Sequence, residues 1–285
     1  MAFNTLIATA ELAEHLDDPS WTMFDCRFSL ADPAAGERAY RQGHIPAAHY
    51  AHLERDLSAP VSAGTGRHPL PEREALCAKL SAWGVRDNGQ VVAYDDAGGV
   101  FAARMWWLLR WLGHERTAVL DGGWRRWLEE KRPIATNEAQ RQPTVFAIRP
   151  SSMTWMTSEE VQAALARRAV RLVDARAPER FRGEVEPIDL VAGHVPGALN
   201  HPFQDNLAPD GRFLPADELR RRFARRLGQV RPGQVVHMCG SGVTACHNLL
   251  AMEEAGLTGS RLYAGSWSEW IRDAKRPVAT GPARQ

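Results

Sequence analysis

Short apolar runs alternate along the whole chain with longer stretches whose apolar residues recur every three to four positions. Residues 21–25, 91–94 and 118–120 form one set of short runs, and residues 171–174, 235–238 and 261–263 form a second. Runs of this length, rich in Val, Leu and aromatic residues, predict strands buried on both faces. Amphipathic helices are predicted between them. Residues 158–166 open with the capping box Thr157-x-x-Glu160, and residues 245–254 are closed by Gly256. The most apolar stretch, residues 100–112, contains Arg104 and Arg110 and is shorter than the roughly 20 residues a bilayer span needs. It predicts a buried helix, with Trp106, Trp107 and Trp111 as core. Strands alternating with helices indicate an α/β fold with a parallel sheet flanked by helices, in which sites lie at the carboxyl ends of strands.

The pattern occurs twice. Asp25-Cys26-Arg27 returns as Asp174-Ala175-Arg176, and Gly43-His44-Ile45-Pro46 as Gly193-His194-Val195-Pro196. Val91-Val92-Ala93-Tyr94-Asp95 returns as Val235-Val236-His237-Met238-Cys239, and Gly122-Gly123-Trp124 with Trp127 as Gly265-Ser266-Trp267 with Trp270. Order and spacing are kept, and a period this long means two domains of one fold, since solenoid repeats run at about 20–50 residues. The expected division is residues 1–138, a linker over 139–150, and residues 151–285. The linker is polar and punctuated by prolines, with Val145, Phe146 and Ile148 expected to anchor it.

Composition narrows the function classes. Of the 285 residues 44% are hydrophobic and 24% charged, and 35 basic side chains against 34 acidic leave a net charge of +1, so neither nucleic acid nor a membrane is an expected partner. The first 20 residues hold Glu11, Glu14, Asp17 and Asp18 with no Lys or Arg, the opposite of a transit peptide. Cys26, Cys77, Cys239 and Cys246 are too few and too irregularly spaced for a disulfide scaffold or a paired zinc site. A reducing, cytoplasmic setting is expected.

One position combines strand end, nucleophile and loop. The strand ending at Met238 is followed by Cys239-Gly240-Ser241-Gly242-Val243-Thr244 and then a helix. A lone cysteine after a strand is ordinarily a small core residue. Here two glycines permit backbone conformations closed to other residues, and a loop that curls its N–H groups toward Cys239 would form an anion nest at a helix N-terminus. Such surroundings favour the thiolate, which is the nucleophile. Ser241 and Thr244 add hydroxyls. The equivalent of Cys239 in the first copy is Asp95, followed by Asp96-Ala97-Gly98-Gly99, so the first domain is expected to be catalytically silent. A cysteine phosphatase also uses a strand, a cysteine loop and a helix, but its arginine falls six positions after the nucleophile, where this chain has Ala245.

These residues resemble the tandem rhodanese-domain sulfurtransferases over nearly the whole chain. Cys239-Gly240-Ser241-Gly242-Val243-Thr244-Ala245 is similar to the active-site loop of the mercaptopyruvate sulfurtransferases, and residues 193–198 and 263–270 are similar to two flanking signatures. The first copy departs from the family at Ala47, where glycine is usual. The resemblance implies that Cys239 takes sulfur from 3-mercaptopyruvate as a persulfide and passes it to a thiol, a thioredoxin-like acceptor or cyanide, with no metal or organic cofactor. Thiosulfate is the alternative donor, and a non-enzymatic persulfide carrier the alternative role. It further implies that Arg180 binds the anionic group of the donor, and that Glu54 and His68 form a relay with Ser241. Mercaptopyruvate enzymes usually carry a second arginine after a Glu-Pro pair; here Glu186-Pro187 is followed by Ile188, and Arg182 is the expected substitute.

Several other polar residues read as structure. Asp174 with Arg176, and His44 with His194, recur in both copies, which points to strand-end pairing and turn fixing. His44, His49 and His52 lack a completing ligand cluster. The five arginines between positions 220 and 226 read as a solvated helix face.

Overall fold

The computed structural model describes residues 2–283. They form two units, Met1–Ala59, Leu70–Ser152 and Pro209–Phe213 in the first, and Pro60–Pro69, Met153–Ala208 and Leu214–Gln285 in the second.

The first unit runs β1 (Leu6–Ile7), α1 (Thr9–Ala13), β2 (Trp21–Asp25), α2 (Ala35–Gln42), β3 (Ala48–Tyr50), α3 (Arg73–Ala82), β4 (Gln90–Tyr94), α4 (Val100–Trp111), β5 (Thr117–Leu120) and α5 (Gly123–Glu129). The second repeats this succession as β6 (Trp155–Met156), α6 (Ser158–Ala166), β7 (Arg171–Asp174), α7 (Pro178–Arg182), β8 (Leu199–Asn200), α8 (Ala216–Leu227), β9 (Val235–Met238), α9 (Thr244–Glu254), β10 (Arg261–Tyr263) and α10 (Ser266–Trp270). The sheets have matching orders, β1-β5-β4-β2-β3 and β6-β10-β9-β7-β8, and every pairing is parallel. Asp95 and Cys239 therefore each follow the central strand of a sheet, at its carboxyl end, where α/β proteins place ligands.

The six strands read from the sequence are present, β4 and β5 each starting one residue earlier. The edge strands β1, β3, β6 and β8 are two or three residues long, too short to carry a hydrophobic period. Thr157 and Glu160 form the expected capping box, each side chain accepting the other's backbone N–H. α4 is buried from Val100 to Arg110; Trp106 and Trp107 lie in the core. Trp111 does not: it is half-buried, stacked on Trp107 and covered by the Arg73 guanidinium. No helix of the described residues is long and apolar enough to cross a membrane.

Residues 139–150 cluster with the first unit. Phe146 is buried there, its amide donating to Ser81 Oγ, whereas Val145 is 86% exposed. Extended backbone sends neighbouring side chains to opposite sides, so Val145 does not serve as an anchor.

The repeated polar pairs are scaffold in both units. Arg27 and Arg176 each chelate the aspartate two residues earlier and donate to the carbonyl of Gly43 or Gly193. Each guanidinium lies over an indole, Trp124 at 4.6 Å and Trp267 at 4.7 Å. His44 stacks on Tyr40 and His194 on Phe181, each Nδ1 hydrogen-bonded to the backbone carbonyl of the residue whose ring it covers. On α8 Arg221 and Arg222 pair with Asp217 and Glu218 one turn back, as expected of a solvated face.

Candidate active site

The site is built where β9 ends. Cys239 is 2% exposed, and its Sγ accepts the backbone N–H of Gly242 at 3.1 Å. This bond requires the loop to reverse within three residues. Gly242 does so at φ +81°, and a Cβ there would lie 2.3 Å from the Ala264 carbonyl oxygen, so a side chain is excluded by conformation and by space. Gly240 has no left-handed φ. Its lack of a side chain serves close approach instead, because a Cβ would lie 2.8 Å from a guanidinium nitrogen of Arg67. Of the two loop glycines, only Gly242 meets the conformational requirement read from the sequence.

The segment after β10 holds the cysteine backbone. Ser266 Oγ accepts the Cys239 N–H at 3.0 Å and donates to the Tyr263 carbonyl. The Cys239 carbonyl accepts from the Trp267 amide, and the Gly240 carbonyl from that of Ser268. Ser266 adopts φ +52°, a left-handed conformation costly for a residue with a side chain. α9 starts at Thr244, and Cys246, fully buried on its first turn, donates its thiol to the Gly242 carbonyl.

Charged and polar groups surround the loop. His68, in the Pro60–Pro69 segment of the second unit, is 2% exposed, with Nδ1 2.7 Å from Ser241 Oγ. The Arg180 guanidinium bonds Glu186 at 2.6 Å and Asp189 at 3.2 Å. Arg67 pairs with the other oxygen of the same Asp189 carboxylate. A methyl placed on Gly240 would stand 3.8 Å from both terminal nitrogens of Arg180 as well as against Arg67, so two guanidinium groups converge one residue from Cys239.

Two carboxylates position them. Burial works to raise the Glu186 carboxyl, but hydrogen bonds from Arg180 and from the amides of Asp189 and Ile188 outweigh it and hold the group below its ordinary range. Asp189 goes the other way. Its burial, reinforced by the neighbouring Glu186 charge, exceeds the relief from Arg67 and Arg180 and raises it.

Arg182 does not join this cluster. Its guanidinium is taken by Glu184 two residues on, and its side chain is 36% exposed. The guanidinium beside Arg180 is that of Arg67, remote in sequence. Ile188 is 44% exposed and enters only through its amide. Glu54 belongs to the first unit, on an exposed turn. Arg67, Asp189 and Ser266 have no site role in the sequence reading: Ser266 enters it only as a repeat and signature residue, and Arg67 and Asp189 border His68 and Ile188, which it names. Adjacency was the available signal, but nothing in the spacing says that residues 67, 180 and 189 meet.

The equivalent loop of the first unit shows what its amides do. Asp95 Oδ1 accepts the N–H groups of Ala97 and Gly99, and Oδ2 those of Phe101 and Ala102, all at 2.8–2.9 Å. Burial nevertheless lifts this carboxyl above its ordinary range against the four amides. The turn thus directs backbone donors onto an anion at the strand end.

The family model described as the rhodanese-like domain matches residues 8–130 and again residues 157–273. The chain is 51% identical over 283 residues to a probable 3-mercaptopyruvate sulfurtransferase of Pseudomonas aeruginosa, covering 99% of this chain and 100% of the relative. It is 39% identical to a putative thiosulfate sulfurtransferase of Mycobacterium tuberculosis, covering 98% of each. Among solved structures it is similar to a 3-mercaptopyruvate sulfurtransferase from Leishmania major, with a TM-score of 0.83 and 29% identity over 96% of this chain and 75% of that one.

Proposed function

The chain belongs to the rhodanese family and is a sulfurtransferase, and from that premise we propose that Cys239 carries the sulfur and that 3-mercaptopyruvate is the donor. The observation that carries this reading is the Gly242 N–H on Cys239 Sγ, with the guanidinium groups of Arg67 and Arg180 beside the same loop. The amide favours negative charge on sulfur, and the guanidiniums suit a carboxylate by their planar forks.

The Cys239 thiolate attacks the donor's sulfur. An S–S bond forms, the C–S bond breaks, and its electron pair passes to carbon as the enolate of pyruvate, which takes up a proton to give pyruvate. The proton leaving the donor thiol and the one reaching carbon can be exchanged through Ser241, whose hydroxyl is held by His68. Arg180 and Arg67 hold the donor carboxylate. In the second half-reaction an acceptor thiolate attacks the outer sulfur and regenerates the Cys239 thiolate. A thiol, a thioredoxin-like protein or cyanide meets this requirement, and the reaction needs no metal or organic cofactor. The setting is cytoplasmic, in keeping with cysteines that are all free.

Thiosulfate remains the competing donor, because Ile188 stands where a second donor-binding arginine is usual and several relatives carry that name. Incubation with donor followed by peptide mass mapping should place one added sulfur on Cys239, and Cys239→Ser should be inactive. Steady-state rates with both donors should give the higher kcat/KM for 3-mercaptopyruvate. A clear preference for thiosulfate overturns the donor assignment, and full activity of Cys239→Ser overturns the whole reading.

A further inference from the structure

Three arginines and three carboxylates are interleaved beside the Cys239 loop: Arg67, Arg176 and Arg180 with Asp174, Glu186 and Asp189. Their commitments differ. Asp174 chelates Arg176, which also donates to the Gly193 carbonyl. Glu186 is saturated, taking Arg180, Arg176 and the amides of Ile188 and Asp189. Both are built into the scaffold. Asp189 alone places one oxygen on each of the two guanidinium groups that reach Gly240, and its side chain is 4% exposed. It therefore stands where an incoming anion would have to bind or share.

We propose that Asp189 is a specificity-determining residue, an internal counter-anion shared by Arg67 and Arg180 whose charge opposes a second negative charge on the donor. A site so tuned accepts a monoanionic carboxylate donor and penalises a dianion. 3-Mercaptopyruvate has one negative charge, thiosulfate two, and both must bring their sulfur to the same Cys239. The charges of the three arginines are already matched by Asp174, Glu186 and Asp189, so the Asp189 charge opposes each negative charge the donor brings, and a dianion about twice as strongly as a monoanion. Burial already disfavours the Asp189 charge, so a second excess negative charge in the same place is poorly tolerated. The residue acts through the two arginines and takes no part in bond making.

The inference rests on Cys239 as the sulfur carrier, and its test is a ratio. Asp189→Asn keeps the size and one acceptor oxygen while removing the charge. Measured in the full chain with cyanide as acceptor, kcat/KM for thiosulfate relative to 3-mercaptopyruvate should rise about tenfold, because removing one negative charge relieves a dianion about twice as much as a monoanion. Asp189→Glu, which retains the charge, should keep the wild-type ratio. A ratio within twofold of wild type in Asp189→Asn, or an equal shift in Asp189→Glu, overturns the proposal. A wild type that prefers thiosulfate overturns the donor assignment, whereas the change between variants bears on Asp189 alone. Should the Asn variant fail to fold, the wild type supplies a second measurement, the protection of Cys239 from iodoacetamide by pyruvate and by sulfate. Pyruvate should protect at the lower concentration, and equal or better protection by sulfate overturns the proposal.

Discussion

The loops that follow β4 and β9 are the same turn in different chemical use. In the first unit a carboxylate sits at the strand end and is held by four backbone N–H groups. In the second a thiol sits there and takes the N–H of Gly242. Left-handed glycines occupy matching places, Gly98 and Gly242, and the next strand returns a tight turn against each loop, through Gly122-Gly123 and Gly265-Ser266. Gly123 is required because a Cβ would lie 2.3 Å from the Asp95 carbonyl oxygen. The second unit instead places Ser266 at this left-handed position and uses its hydroxyl to hold the Cys239 amide. The comparison teaches that the amide-donating turn belongs to the fold, whereas the proposed activity depends on what stands at its focus and on the charges beside it.

The largest effect is expected from making the second loop like the first. Cys239→Asp should abolish sulfur transfer, yet unfold in urea within about 1 kcal/mol of wild type, because a carboxylate can use the same amides. A large loss of stability would show that the two turns present their donors differently. The converse probe, Asp95→Ala, leaves four buried N–H groups without their acceptor and should cost about 2–4 kcal/mol, read from the urea midpoint. A change under about 1 kcal/mol would mean that the carboxylate is not what organises the first loop.

Ser266→Gly restores the first-unit residue at the left-handed position. It removes both the strain and the hydroxyl, so stability should change little while persulfide formation slows about tenfold, or about 1.4 kcal/mol in the barrier, in single-turnover measurements. An unchanged rate would leave Ser266 without a role in positioning Cys239. The smallest effect concerns the turns before β3 and β8. Ala47 has φ +61° where the second unit has Gly197 at +81°. Ala47→Gly should therefore stabilise by about 0.5–1 kcal/mol, the relieved strain exceeding the added chain entropy. Destabilisation would show that the Ala47 methyl, which packs against the core of the first unit, outweighs its backbone cost.

The duplicated fold was legible from one dimension because its evidence is local. Buried strands read as apolar runs, helix ends carry their caps, and the repeat is a comparison of the chain with itself. The Cys239 loop was legible for the same reason: cysteine, glycines and helix start lie within a few residues. Two-residue edge strands were not, since pairing with a neighbour rather than any pattern of their own makes them strands. The charged cluster beside the loop was only half visible. Arg180 carried a motif, but Arg67 and Asp189 lie far apart in the chain and have no periodic signature, and the expectation that Arg182 would replace the missing arginine followed sequence proximity. Which arginine reaches the loop is decided by where the Pro60–Pro69 segment packs and by which carboxylates lie within ion-pairing distance. Charges act through space, so their grouping is a property of the folded chain, while strand, helix and turn are written in neighbouring residues.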